Sequence, residues 1–96
     1  MTTQMDGNKI TVSSEAAASV HDDGIVILHT RRGRLFSSNR TGAQIWRCIE
    51  QQLPVEAIVE KISSEYQIAR TVAREHTARF LAELVRHDLI VRGAEA

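Results

Sequence analysis

The sequence predicts an α+β domain in which a three-stranded antiparallel sheet is followed by three helices. Three observations carry that prediction. Up to Ser38, apolar residues alternate or run continuously between short turn signals, as strands require. From Thr41 onward they recur every three or four positions, as on the buried face of a helix. The length of 96 residues, 43% hydrophobic and 25% charged, suits one globular core and not two.

Ala16 to His21 reads as the first strand, with Ile10 and Val12 extended just before it. Asp22-Asp23-Gly24 follows as a tight turn, because Asp and Gly tolerate the positive φ of hairpin turns. Ile25 to Leu28 is continuous and mostly β-branched, so it reads as a strand covered on both faces. Arg31-Arg32-Gly33 makes the second turn and Arg34 to Ser38 the third strand. Short turns between successive strands favour an antiparallel meander.

Thr41 and Gln44 fit a capping box at the start of the first helix, whose stripe is Ile45, Trp46, Ile49 and Leu53. Pro54 suits the first turn of the second helix, where its missing N–H is harmless. Val55, Ile58, Val59, Ile62 and Tyr66 form that helix's stripe. Thr71 is expected to cap the third, with Ala73, Thr77, Phe80, Leu81 and Leu84 on one face. Leu89-Ile90-Val91 is a short extended close. A sheet-first order of this kind is winged-helix-like. The expected organisation is a tail over 1–8, one domain over 9–91 and a tail over 92–96.

Known chemistries find no foothold. His21, His29, His76 and His87 have no metal-ligand spacing with one another or with Cys48. No nucleophile elbow, phosphate loop or dinucleotide fingerprint occurs. Asp22-Asp23 is better explained by its turn, and Cys48 by packing beside the apolar stripe. The expectation is a non-enzyme without cofactor or metal. Met1 to Ser14 is polar and lacks a basic stretch followed by an apolar one, so no signal peptide is expected. No apolar run is long enough for a membrane span. A single cysteine fits a reducing compartment, so a cytoplasmic protein is expected.

Net charge is zero, but Arg31, Arg32, Arg34, Arg40 and Arg47 share a stretch without an acid. Such a face suits an anionic partner of limited size, or is simply a solvated turn and helix end.

The run from Asp23 to Trp46 carries a more specific signal. It has an apolar strand, a glycine turn, a strand bearing Phe36, then Asn39-Arg40-Thr41-Gly42 and an apolar helix. In that order it resembles the PqqD family of peptide-recognition elements. Phe80-Leu81, Leu84 and Leu89-Ile90 are similar to the family's closing pattern, so the likeness covers roughly residues 10 to 91. Asn39 to Trp46 looks especially like the stand-alone versions of lasso-peptide gene clusters. The chain departs from the family at Ser38 (usually Leu), His76 (commonly acidic) and Asp88 (commonly Gly).

The resemblance implies a non-catalytic domain that holds the leader of a ribosomally made precursor peptide for a maturation enzyme. That enzyme would be a leader peptidase or cyclase, or a radical SAM enzyme. The implied mode is strand addition along the third strand, in a groove closed by the third helix. Residues expected to contact the peptide are Arg34, Leu35, Phe36 and Ser37 on the strand, and Val72, His76, Arg79 and Phe80 on the helix. With Phe36 inward, period-two alternation turns Leu35 and Ser37 to the opposite face. Arg31 and Arg32 are expected to steer an acidic leader.

A DNA-binding winged helix is the competing reading, since Arg70, Arg74, Arg79 and Arg86 fall on or beside the third helix. Glu75, Glu83 and Asp88 are interspersed among them, and DNA readers of this shape carry their hairpin after the recognition helix. Nucleic acid is therefore not the expected partner. A subunit that only docks on an enzyme would share the fold without needing a groove.

Overall fold

A computed structural model describes residues 9–92. The stretches 1–8 and 93–96, expected as tails, lie outside the described residues. Four strands come first: β1 (Ile10–Val12), β2 (Ala16–His21), β3 (Gly24–His29) and β4 (Arg34–Asn39). Helices α1 (Arg40–Glu50), α2 (Val55–Tyr66) and α3 (Arg70–Arg86) follow, and β5 (Ile90–Arg92) comes last.

The three-stranded antiparallel sheet has the order β2-β3-β4, as expected. A second sheet was not foreseen: β1 pairs antiparallel with β5, Ile10 opposite Arg92 and Val12 opposite Ile90. Arg92, assigned to the tail, therefore belongs to a strand. Nothing local marks this pairing, because its halves stand at opposite ends of the chain.

β3 is covered on one face, not two. Ile25 and Ile27 are buried against the helices, whereas Val26 and Leu28 on the other face are half-buried. The first hairpin turns through Asp22 and Asp23 between paired His21 and Gly24. Neither aspartate nor Gly24 has positive φ, contrary to expectation. Gly24 is required for another reason: a Cβ there would collide with the carbonyl oxygen of Ser38. In the second turn Gly33 does take a positive φ, 66°.

The helix ends also differ from expectation. Asn39, not Thr41, caps α1; its Oδ1 accepts the Gly42 N–H at 3.0 Å, and Thr41 lies inside the first turn. Pro54 stands one position before α2, and Ala69 precedes α3 without a side-chain cap, so Thr71 is already helical. At their C-terminal ends all three helices stop on a left-handed residue, yet none is glycine: Gln52, Gln67 and Asp88. After α3 the Leu89 N–H reaches the Leu84 carbonyl at 2.9 Å and the Asp88 N–H reaches Val85 at 3.0 Å. That bonding pattern satisfies the last carbonyls and turns Leu89 and Ile90 into the core.

The core lies between the sheet and the helices. Ile25 and Ile27 meet Ile45, Trp46 and Ile49 of α1, Ile58, Val59 and Ile62 of α2, and Leu81 and Leu84 of α3. Burying each such aliphatic side chain contributes about 1.5–3 kcal/mol. Replacing Asn39 by Ala should lower unfolding free energy by about 0.5–2 kcal/mol, the usual cost of a lost cap. Thr41→Ala should stay within ~0.5 kcal/mol. Urea unfolding distinguishes the two, and equal losses would return the cap to Thr41.

Candidate functional site

β4 is an edge strand, and the hairpin register shows which of its groups are free. In a two-residue hairpin the flanking pair, here His21 and Gly24, exchanges hydrogen bonds. Alternation along β3 then points the main-chain groups of Ile25, Ile27 and His29 towards β4. Their partners Ser38, Phe36 and Arg34 answer them. The Ser38 carbonyl lying over Gly24 agrees with this. The N–H and C=O groups of Leu35 and Ser37 consequently face away from the sheet.

Side chains alternate in the other sense. Phe36 is half-buried on the helix side, while Leu35 is 67% exposed and Ser37 exposed on the outer face. Phe36 bridges to α3: its ring lies 6.0 Å from that of Phe80 and 5.0 Å from that of His87, both tilted. These contacts tie the helix-side face of β4 to α3 and to the residue that follows it. Where β4 begins, His29, Arg34, Phe36, His87 and Leu89 surround a cleft of about 30 Å³. A larger concavity of about 820 Å³ lies elsewhere, between β1 and the end of α1, and none of the expected site residues lines it.

Of the residues expected on α3, Phe80 is buried and touches Phe36, while Val72, His76 and Arg79 lie exposed on the stripe that continues from it. Arg79 is 3.5 Å from Glu75. Arg31 and Arg34 are exposed and have no acidic partner among the described residues. Arg32 pairs with Asp88 at 2.7 Å, so of the two steering residues Arg31 alone keeps an uncompensated charge. His29 and His87 were not anticipated, because their relation to Phe36 and the cleft arises only from tertiary packing.

The arginines of α3 are all engaged. Arg70 reaches Glu60 at 2.6 Å, Arg74 forms a two-pronged pair with Glu56, and Arg86 meets Glu83 at 2.8 Å. The hydrogen bond from Arg74, reinforced by its charge and that of Arg70, holds the Glu56 carboxyl below its ordinary range. Cys48 is buried, and burial pushes its thiol upward despite nearby Lys61, which disfavours the nucleophilic thiolate. Among the described residues no three His, Cys, Asp or Glu side chains cluster as a metal site, and no helix is long and apolar enough to cross a membrane.

Phe80→Ala should cost about 3–5 kcal/mol, because Phe80 is 7% exposed and fills the space between Phe36 and Gly42. His76→Ala and Arg79→Ala should each change stability by less than ~0.5 kcal/mol. Thermal unfolding of the three variants tests whether α3 separates into a structural and a displayed face.

Comparison with known proteins places this geometry. The family model for coenzyme PQQ synthesis protein D (PqqD) matches residues 24–90, from β3 to the first residue of β5. TbiB1 in complex with the TbiA(beta) leader peptide shares the fold with a TM-score of 0.80 and 28% identity, over 88% of this chain and 99% of that one. A lasso peptide synthetase B1 complexed with the leader peptide gives a TM-score of 0.77 at 23% identity, over 85% of this chain and 96% of that one. No curated protein matches. Because the family match runs through β3, β4 and all three helices, the chain belongs to the PqqD family.

Proposed function

We propose that this domain is a non-catalytic recognition element that binds the leader of a ribosomally made precursor peptide along β4 and presents it to a modifying enzyme. The observation that carries the reading is the open edge at Leu35 and Ser37, flanked by an aromatic groove. An extended peptide satisfies those main-chain groups and sets alternate side chains into the groove. TbiB1, which is similar along nearly its whole length, is a leader-peptide complex, and this supports the same ligand class here. The reading places the domain in the cytoplasm beside its precursor. Its enzyme partner is a leader peptidase or cyclase, or a radical SAM enzyme.

Magnitudes decide where affinity resides. Each main-chain hydrogen bond contributes about 0.5–1.5 kcal/mol net, and ordering a free peptide costs several kcal/mol. Pairing at two residues of β4 cannot supply a stable complex alone. The apolar contacts around the half-buried Phe36 must supply the surplus. DNA is disfavoured, because the four arginines that would meet phosphates already hold carboxylates.

Ser37→Pro removes an N–H that faces the open edge, whereas Ser38→Pro removes one that faces β3. The first variant should keep its circular dichroism spectrum and lose leader binding about tenfold. The second should lose the fold. Fluorescence anisotropy with labelled lasso-precursor leaders, beside labelled duplex DNA, measures both affinity and ligand class. A folded Ser37→Pro protein with unchanged leader affinity would remove β4 from the site.

Steering is a separate, smaller effect. Exposed charge pairs contribute ~0.2–1 kcal/mol and are screened beyond about 8 Å at physiological salt. Arg31→Ser should therefore slow association severalfold at low salt, leave dissociation nearly unchanged and lose its effect at high salt. Stopped-flow kinetics at two ionic strengths tests this, and equal association rates at low salt would leave Arg31 a solvated turn residue.

A further inference from the structure

The end of the groove holds a feature that strand pairing along β4 does not use. His29 is 6% exposed, on the helix side of β3 and opposite Arg34. Its Nδ1 accepts the backbone N–H of Arg32 at 3.2 Å. A nitrogen that accepts carries no proton, so the ring's proton sits on Nε2. That Nε2–H has no hydrogen-bond partner among the described residues, and the imidazole lines the cleft of about 30 Å³. Such a space holds about one oxygen atom of a ligand or one water.

Charge around the cleft is uneven. Arg32 is bound to Asp88 at 2.7 Å and Arg86 to Glu83 at 2.8 Å, while His87 stands 3.7 Å from the same Glu83. Arg34 alone among the cleft's arginines has no acid. Phe36 and Leu89 supply apolar walls, which strengthen any charge-assisted bond made between them. A donor at the accessible edge of a buried ring, beside one uncompensated guanidinium, suits an anionic oxygen better than an amide or an alcohol.

We propose that this cleft is a specificity subsite for one carboxylate side chain, Asp or Glu, of the bound peptide. His29 Nε2–H donates to the one oxygen seated in the cleft, and the Arg34 guanidinium, exposed at its rim, donates to the other. The subsite rests on the leader-binding reading and adds to it a chemical requirement at one ligand position, next to where pairing along β4 begins.

A random peptide library tests the subsite without a leader of defined sequence. Phage displaying random 12-residue peptides are selected against the full chain, against Arg34→Gln and against His29→Gln. Binders of the wild type should carry an acidic residue at one fixed place, and changing that residue to its amide should weaken binding tenfold or more. Binders of Arg34→Gln should lose the preference; Arg34 is exposed, so this variant folds even if His29→Gln does not. Wild-type binders without an acidic preference, or the same preference retained in Arg34→Gln, overturn the subsite and leave peptide binding intact. A library that yields no binders overturns the peptide-binding reading and the subsite with it. Long-range ¹H–¹⁵N correlation spectra should place the His29 proton on Nε2, and a proton on Nδ1 would overturn the proposal independently.

Discussion

The chain leaves the sheet at Asn39 without a connecting loop. Asn39 is at once the last residue of β4 and the cap of α1, its Oδ1 holding the Gly42 N–H. The backbone passes straight into a helix rather than into another strand of the sheet, and the edge at β4 is open. The same junction brings the first turn of α1 under the sheet. A Cβ on Gly42 would stand 2.8 Å from the Phe80 ring and would collide with the Ser38 side chain. Only bare backbone fits where β4, α1 and α3 converge. Asn39-x-Thr41-Gly42 is thus a joint: one residue caps, another lets α3 come close. Ser38, standing where larger apolar residues are usual, packs against that glycine.

From that junction follows the position of Phe36 relative to α3. With Phe80 held over Gly42, its ring meets that of Phe36, and the His87 ring meets Phe36 as well. In the proposed reading, these rings floor the peptide's groove beside the free main-chain groups. Electrostatics complete the separation of roles. The acids of α2 take up Arg70 and Arg74, leaving that end of α3 nearly neutral. The Glu56 pair contributes stability above that carboxyl's unfolded-state pKa and loses it as pH falls through the lower folded value. The link between α2 and α3 is in place at neutral pH and is weakened by acid.

Most of this fold is legible in the sequence because its signals are local. The strand alternation at Arg34 to Ser38, the helical stripes and the turn at Gly33 depend on residues a few positions apart. The inward Phe36 and outward Leu35 follow from the same period-two pattern. What escapes is whatever depends on distant partners or on unusual residues in familiar roles. The β1–β5 sheet joins segments from opposite ends of the chain. Helix ends carry no glycine signal, because Gln52, Gln67 and Asp88 adopt the left-handed conformation that glycine normally marks. Asp88 shows the consequence for function: its carboxylate captures Arg32 and removes one charge from a cluster that reads as five free arginines. His29 has no motif around it, since its meaning lies in which nitrogen accepts from Arg32 and which faces the cleft.

The sheet has two edges, and the physical difference between them explains why β4 is the functional one in the proposed reading. β2 is also unpaired on its outer side. The concavity beside it is walled mostly by polar side chains, among them Arg40, Gln44, Arg47 and Glu65. A strand added there would gain main-chain hydrogen bonds, each about 0.5–1.5 kcal/mol net, against an ordering cost of similar total size. A strand added to β4 gains the same bonds and also covers the half-buried ring of Phe36. Main-chain pairing is indifferent to sequence, so edge bonds alone make a weak and unselective site. An edge beside a half-exposed aromatic face and one ring donor is able to choose among peptides. In the proposed reading, selectivity therefore resides in the side chains that β3, β4 and α3 turn towards the peptide, and the open edge serves to align the peptide with them.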